Sequence, residues 1–528
     1  MKSASDLEGL DHSVVEAMTA ADVLNGLPRR IHAVCERFAR EMPDHPAFVE
    51  GDRVWTCRQF SDAVDAVAGD LKTLGVRAGD RVMMAAENCV AVSAFVLAAS
   101  RLDAWAIVAN PRLSPRELDQ IADHSGARRR FFASGISREA ADHAARVGAA
   151  SGALGPFGDI GVGALNEDTV PERVHADGSK QVAVLIYTSG TTGVPKGVML
   201  SHENLLFSAR ISGLMRGLRP ADRIYGVLPM SHIVGLSIVL VSTLMFGATI
   251  VIVPKYDPAH LAKTIASGNA SVVYGVPATY QRLLALLSPD GKGSLDRGIL
   301  RSVHVAGAPL DLTLKRRTEE LLGLPLLNGF GITECSPGIS GARQSAPRHD
   351  DSVGPIVPGV EIRVMTPDNV EAKHGEVGEL HVRGPNVMLG YYRAPDLTAK
   401  AVVDGWFVTG DLVRFDGRNL FIVGRVKEMI IRSGFNVYPA EIEAVINAHP
   451  AVLQSAVVGR AVEGNEEVVA FVQLVTGVDA TPDELHDFIR PQLTAYKRPG
   501  EIRVLESFPA GSTGKILKHR LKEQAQSA

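Results

Sequence analysis

From about residue 30 to residue 330, helical periodicities alternate with short apolar runs: Val182–Tyr187, Arg223–Leu228, Thr249–Val253, Ser271–Tyr274 and Ser302–Val305. A strand covered on both faces reads as a continuous apolar run, and two parallel strands need a crossover long enough to hold a helix. The alternation therefore predicts doubly wound α/β layers with largely parallel sheets. The 528 residues are enough for about three or four structural units. With 46% apolar and 22% charged residues, each unit can bury a core. Global disorder, collagen and coiled coil are excluded.

The texture changes twice further along. Gly152–Gly163 is glycine-rich and reads as a surface connection. From about 354 to 424 come short strands, Glu361–Met365, Glu379–Arg383, Leu412–Phe415 and Asn419–Val423, with the hairpin dipeptide Asp416-Gly417 between the last two. A compact α/β unit follows. It has a helix opening at Pro439, strands at Val452–Val458 and Val468–Val475, and a helix over 482–490. Thr481-Pro482-Asp483-Glu484 gives that last helix an N-cap, a proline at its first position and a capping-box glutamate. The expected organisation is a large N-terminal domain over 1–424, with a β-rich subdomain at about 354–424, and a small mobile α/β C-terminal domain over 425–528. The boundary falls near Arg425–Lys427.

Several function classes drop out. The net charge is −4, which disfavours general nucleic-acid binding. Cys35, Cys57, Cys89 and Cys335 are far apart with no CxxC pair, so a disulfide framework or cysteine zinc site is not expected, and a cytoplasmic location is. Met1–Glu8 leads into no apolar segment of the secretory kind. Ile233–Val253 carries no charge, but Gly247 stands where a helix would stop and Ala248–Val253 then reads as a strand. A buried helix and strand are expected there, not a membrane span. Peripheral lipid contact and a homodimer are left open.

The strongest chemical signal is Tyr187-Thr188-Ser189-Gly190-Thr191-Thr192-Gly193-Val194-Pro195-Lys196-Gly197, directly after a strand. Its glycines permit tight turns whose N–H groups can face an anion. Four hydroxyls add donors and Lys196 adds a cation. This is phosphate-cradling chemistry, but not a Walker A loop, because Pro195 precedes the lysine and Gly197 follows it.

Further motifs follow in order: Leu228-Pro229-Met230-Ser231-His232, Ala306-Gly307-Ala308-Pro309-Leu310, Asn328-Gly329-Phe330-Gly331-Ile332-Thr333-Glu334, Thr409-Gly410-Asp411, Gly424-Arg425-Val426-Lys427 and Gly511-Ser512-Thr513-Gly514-Lys515. The set resembles the adenylate-forming superfamily, which includes acyl-CoA synthetases, luciferases and peptide-synthetase adenylation domains. The likeness runs from about 30 to 520 and is closest to the carboxylic acid–CoA ligase branch. It implies ATP, Mg²⁺ and CoA as cofactors and co-substrates, and a small-molecule carboxylic acid as substrate. The implied ATP-binding residues are Thr188, Ser189, Gly190, Thr191, Thr192, Gly193, Lys196, Gly307, Ala308, Pro309, Asn328, Gly329, Phe330, Gly331, Thr333, Asp411, Arg425 and Lys515. Glu334 and Thr188 would hold the metal. Lys515, Thr333, Glu334 and His232 form the implied catalytic set. Phe330 stands where many relatives carry tyrosine, keeping a ring for adenine but losing a hydroxyl.

The resemblance also places an acyl pocket at His232, Ile233, Val234, Gly235, Val276, Pro277, Ala306, Gly331 and Ile332. Amino-acid-activating relatives tend to carry aspartate at the position of Ile233. No acidic residue occurs between His232 and Lys255, so a buried substrate ammonium would be unpaired. Fatty and aryl acids both remain. Lys427 is the implied hinge, and Arg432, Ser433 and Gly434 the implied CoA loop; Ile431 and Ser433 stand where some aryl-CoA ligases have lysines. The expected reaction is acid plus MgATP to acyl-AMP and pyrophosphate, then transfer to CoA with release of AMP. The alternative acceptor is a carrier-protein phosphopantetheine. Two rivals predict different outcomes: a phosphoryl-transfer ATPase would yield ADP, and a transporter built on 233–253 would be membrane-bound.

Overall fold

A computed structural model describes residues 12–188, 195–288, 293–433, 435–462, 465–475, 477–510 and 516–527. Two eight-stranded sheets dominate the first 350 residues. The first has the spatial order Gly338–Gly341, Leu326–Gly331, Ser302–Val305, Val272–Gly275, Arg223–Gly226, Thr249–Ile252, Pro46–Glu50, Arg53–Thr56. It is parallel except at its two outer pairs. The second runs Gly390–Tyr391, Lys196–Ser201, Val182–Thr188, Trp105–Ala109, Arg81–Ala85, Arg129–Phe132, Phe157–Val162, Ala150–Leu154, parallel only in the middle.

Helices fill the space between these sheets. In Val90–Arg101 every residue from Val90 to Ser100 is buried, as expected of a helix apolar all round. His202–Met215 is nearly as buried. It begins with a reciprocal cap in which Ser201 Oγ accepts from Asn204 N and Asn204 Oδ1 accepts from Ser201 N. One apolar cluster joins Phe60, Val64, Phe95, Phe131, Phe207 and Leu240 across both layers.

The uncharged stretch is intramolecular, as its composition suggests. Val234–Ser242 is a π-helical segment, Gly247 turns with φ +68°, and Thr249–Ile252 is a buried strand. Among the described residues no helix is long and apolar enough to cross a membrane. The Gly152–Gly163 reading needs correction. It is not a connection but most of a hairpin, Ala150–Leu154 with Phe157–Val162, that extends the second sheet through Phe131 and Phe132. Only Ala150–Leu154 is the sheet edge; in the inner strand a Cβ on Gly161 would lie 2.8 Å from Ala144 Cβ, a close approach that glycine permits.

The β-rich part is a five-stranded antiparallel sheet of Glu361–Met365, Val377–Arg383, Val402–Val403, Trp406–Phe415 and Leu420–Arg425. Beyond it lies a separate α/β unit. The strands Val452–Val462, Asn465–Leu474 and Glu501–Val504 form its sheet, and Pro439–Asn447, Pro482–Ile489 and Lys518–Gln526 are its helices. Ile442, Ile446, Val457, Val468, Ala470 and Leu485 give it its own core, the mark of a domain. The Thr481–Glu484 capping box is present.

Candidate active site

The first sheet has a topological switch. From Arg223–Gly226 the chain moves to Thr249–Ile252 on one side, then crosses to Val272–Gly275 on the other. The connections leaving these two neighbouring strands diverge, so a crevice opens beyond their carboxyl ends. His232 and Ile233 follow the first strand, and Val276 and Pro277 follow the second. Ala306–Pro309 leaves the next strand at the same edge, and Asn328–Gly331 ends the one after it. A Cβ added to Gly307 would lie 3.7 Å from Val276 Cγ1, which shows how close these segments run. Ile233 is buried in the main core, with Leu228, Val234, Phe330 and Ile332 packed against it half-buried.

Local packing explains the His232 turn. A Cβ on Gly235 would sit 2.1 Å from Pro229 O and 2.6 Å from Leu228 O, so only glycine lets the helical segment start against that turn. Buried Asn88 clamps the same turn. Its Nδ2 donates to Gly226 O and Leu228 O at 3.0 Å, and its Oδ1 accepts from Met230 N at 2.9 Å. His232 Nε2 is buried without a hydrogen-bond partner among the described residues. Burial lowers the pKa of the ring, so a neutral imidazole lines the crevice.

The second sheet brings the phosphate-cradling elements to this edge. Thr188 and Lys196 are opposite each other on antiparallel strands. Ser189, Gly190, Thr191, Thr192 and Gly193 lie outside the described residues. Gly390–Tyr391 pairs with Val198 and Met199, and Met388 N donates to Glu334 O at 2.8 Å. Tyr391 Oη donates to Glu334 Oε1 at 2.9 Å, and Lys196 Nζ stands 5.3 Å from the Tyr391 ring centroid. Thr188, Lys196, Thr333 and Glu334 thus meet in one corner. Tyr391 is a site residue that the motif reading missed. Its only signal is the run Gly390-Tyr391-Tyr392, with no charge or spacing to suggest chemistry.

Asp411 and Arg425 face each other across the last hairpin of the β-rich sheet, with Arg425 Nε 2.8 Å from Asp411 Oδ1. Burial works against the guanidinium charge, but Asp411, Glu428 and Glu334 outweigh it and raise its pKa.

The C-terminal unit gives mixed results. Lys515 and Gly434 lie outside the described residues. Lys427 is exposed in the turn Val426–Glu428. Ser433 has φ +53°, and its N–H donates to Asn465 Oδ1 at 2.7 Å. Arg432 Nη1 donates to Tyr496 O and Arg498 O at 3.2 and 2.7 Å, so that guanidinium nitrogen is engaged by backbone. Gln281, on the helix after Pro277, donates to Leu453 O at 2.8 Å and links the unit to the crevice wall.

Lys518 is ion-paired within this unit. Its ammonium lies 2.8 Å from Glu443 Oε1 and 3.2 Å from Glu428 Oε2. Burial pulls its pKa down, but the two carboxylates overcome this and leave it raised. Lys518→Met would strand Glu443, which among the described residues would keep only Val457 N as a donor to its side chain, at 2.7 Å. Removing one partner of a partly buried pair costs about 1–3 kcal/mol. Amide exchange in Lys518–Gln526 should accelerate about tenfold to a hundredfold, with no change in Val182–Thr188. Unchanged protection of that helix would contradict this role.

Glu334 and Thr188 offer one carboxylate and one hydroxyl. Among the described residues no group of three or more His, Cys, Asp or Glu is placed to hold a metal. This sparse oxygen set fits Mg²⁺, which keeps several waters and takes phosphate oxygens beside one or two protein ligands.

A family model described as AMP-binding enzyme matches residues 35–392, and one described as AMP-binding enzyme C-terminal domain matches 441–515. The chain belongs to the AMP-binding enzyme family. This AMP-binding enzyme is 32% identical over 546 residues to a long-chain-fatty-acid–CoA ligase of Escherichia coli O157:H7, covering 94% of this chain and 96% of the relative. It is 33% identical over 494 residues to a feruloyl-CoA synthase of Amycolatopsis sp, covering 92% and 97%. ATP-bound MatB from Rhodopseudomonas palustris matches with TM-score 0.81 and 29% identity, over 94% of this chain and 99% of that one. The O-succinylbenzoate CoA synthetase MenE of Bacillus subtilis, in complex with ATP and magnesium ion, matches with TM-score 0.79 and 27% identity, over 93% and 99%.

Proposed function

We propose that this AMP-binding enzyme is an ATP-dependent, AMP-forming carboxylic acid–CoA ligase whose acid is apolar. One observation carries the reading: Thr188, Lys196 and Glu334 converge at the carboxyl edge of the sheets beside the apolar wall of Ile233, Val234 and Ile332. A polyphosphate and an apolar carboxylate can therefore meet there. Both the fatty-acid and the feruloyl relatives named above support an apolar acid.

The chemistry follows from charge. A carboxylate oxygen attacks the α-phosphorus, and pyrophosphate leaves with the electron pair of the broken P–O bond. Two anions must approach, so Lys196 and Lys515 are assigned to neutralise them. A bound Mg²⁺ would further offset phosphate charge. Glu334 and Thr188 are assigned to hold it, Asp411 to accept from the ribose hydroxyls, Arg425 to donate to the same sugar, and Phe330 to stack on adenine. In the second step CoA thiolate attacks the acyl carbonyl and AMP leaves. The neutral His232 ring then brings no further charge to the acyl group. We assign Lys427 as the hinge of a mobile C-terminal domain, with the junction at 425–427 and Gly434 in the loop that receives pantetheine. Rotation lets one crevice run two steps with different groups and keeps water from the mixed anhydride.

A cytoplasmic location suits the thiols. All four cysteines are free and buried, and burial pushes Cys35 and Cys89 up to about 12 and Cys57 up to about 11. A screen of C2–C18 and aryl acids for AMP release tests the substrate class. Selective turnover of apolar acids is expected; a clear preference for amino acids would contradict the Ile233 wall.

A further inference from the structure

We propose that Tyr391 is a positioning residue for the metal-binding carboxylate, holding Glu334 while its ring keeps Lys196 apart from that carboxylate. This rests on the reading of Glu334 as the metal ligand. Tyr391 Oη donates to one carboxylate oxygen, Oε1, at 2.9 Å. Among the described residues no hydrogen bond reaches the other carboxylate oxygen, Oε2. The Lys196 ammonium is 5.3 Å from the ring centroid, and no ion pair joins Lys196 to Glu334 among the described residues. A direct pair would cancel the two charges that nucleotide and metal each need, because a carboxylate paired to an ammonium is a poorer metal ligand and the ammonium a poorer phosphate donor.

The backbone around Tyr391 is built to hold it. Gly390 has φ +140°, and a Cβ there would lie 2.7 Å from Thr398 Cγ2. That close approach lets Tyr391 N donate to Thr398 Oγ1 at 2.9 Å. On either side, Leu389 N donates to Met199 O at 3.0 Å and Tyr392 N to Gly197 O at 2.8 Å. Asn204 Nδ2 secures the approach by donating to Pro385 O at 2.7 Å and Val387 O at 3.0 Å. The phenol is thus pinned to the strand that follows the phosphate loop.

Mn²⁺ binding in the presence of ATP, read by electron paramagnetic resonance on the full chain, provides the test. Tyr391→Phe should weaken Mn²⁺ binding about 10–100-fold, the usual loss when the partner of a metal ligand is removed. ATP affinity without metal should be unchanged. In a Glu334→Gln background the same substitution should have no further effect, since Tyr391 acts through Glu334. Tyr391→Leu, which removes the ring as well, should also weaken metal-free ATP binding as Lys196 and Glu334 pair. Unchanged Mn²⁺ affinity in Tyr391→Phe, or an equal loss with Gln at 334, would overturn the proposal while wild-type acid-dependent ATP–pyrophosphate exchange leaves the ligase reading intact. A wild-type chain that binds no Mn²⁺ with ATP and shows no such exchange would overturn both.

Discussion

Lys515→Ala is expected to abolish acid-dependent ATP–pyrophosphate exchange while leaving thioester formation from supplied acyl-AMP largely intact. The first step brings a carboxylate against the α-phosphate, and electrostatic repulsion is its main obstacle. One cation in contact with both anions at about 4 Å is worth roughly 4 kcal/mol at an effective dielectric of 20. That converts to a rate loss of about a hundredfold to a thousandfold. The second step has no such meeting of anions at phosphorus, because the acyl group is already an anhydride. Equal loss of both activities would refute the division of roles.

Lys427→Pro is expected to do the reverse. Lys427 lies exposed in the turn Val426–Glu428, between the strand that ends at Arg425 and the strand Ile430–Arg432. A domain rotation is absorbed by large φ/ψ changes at a few such residues. Proline fixes φ near about −65° and restricts the residue before it. If one of the two positions is disfavoured by about 3 kcal/mol, its use falls about a hundredfold. Pyrophosphate exchange should stay near wild type while thioester formation drops by that factor. Unaffected overall turnover would count against this hinge.

Much of the fold was legible because the residues have one dominant environment. The strand Ser302–Val305 is buried along its whole length and appears with the bounds its apolar run indicates. The helix Pro482–Ile489 announces its start through Thr481 and Glu484. The hairpin Ala150–Val162 was not legible, because its glycines read as a turn and only pairing to Phe131 and Phe132 makes it a sheet edge. The strand Pro46–Glu50 likewise gains its place from a parallel pairing with Thr249–Ile252, about two hundred positions away, and Arg53–Thr56 follows it by a local antiparallel pairing.

The site divides along the same line. Phosphate loops and turn glycines carry their chemistry in local backbone, so Thr188, Lys196 and the Asn328–Glu334 run stand out in the sequence. Tyr391 and Asn88 act through partners distant in the chain, and neither spacing nor charge marks them. Lys518 looks like one cation in a basic tail until Glu428 and Glu443 close on it. Arg432 stands in the implied CoA loop, and its two backbone partners, Tyr496 O and Arg498 O, lie more than sixty residues further along the chain.

Oxygen transfer from acid to nucleotide is the most direct test of the chemistry assigned to this crevice. An acid that turns over, labelled with ¹⁸O in its carboxylate, should leave one labelled oxygen in the AMP released with CoA, because that oxygen forms the anhydride bond to the α-phosphorus and remains there when thiolate attacks carbon. AMP without label, or ADP as the nucleotide product, would contradict attack by the acid on the α-phosphorus.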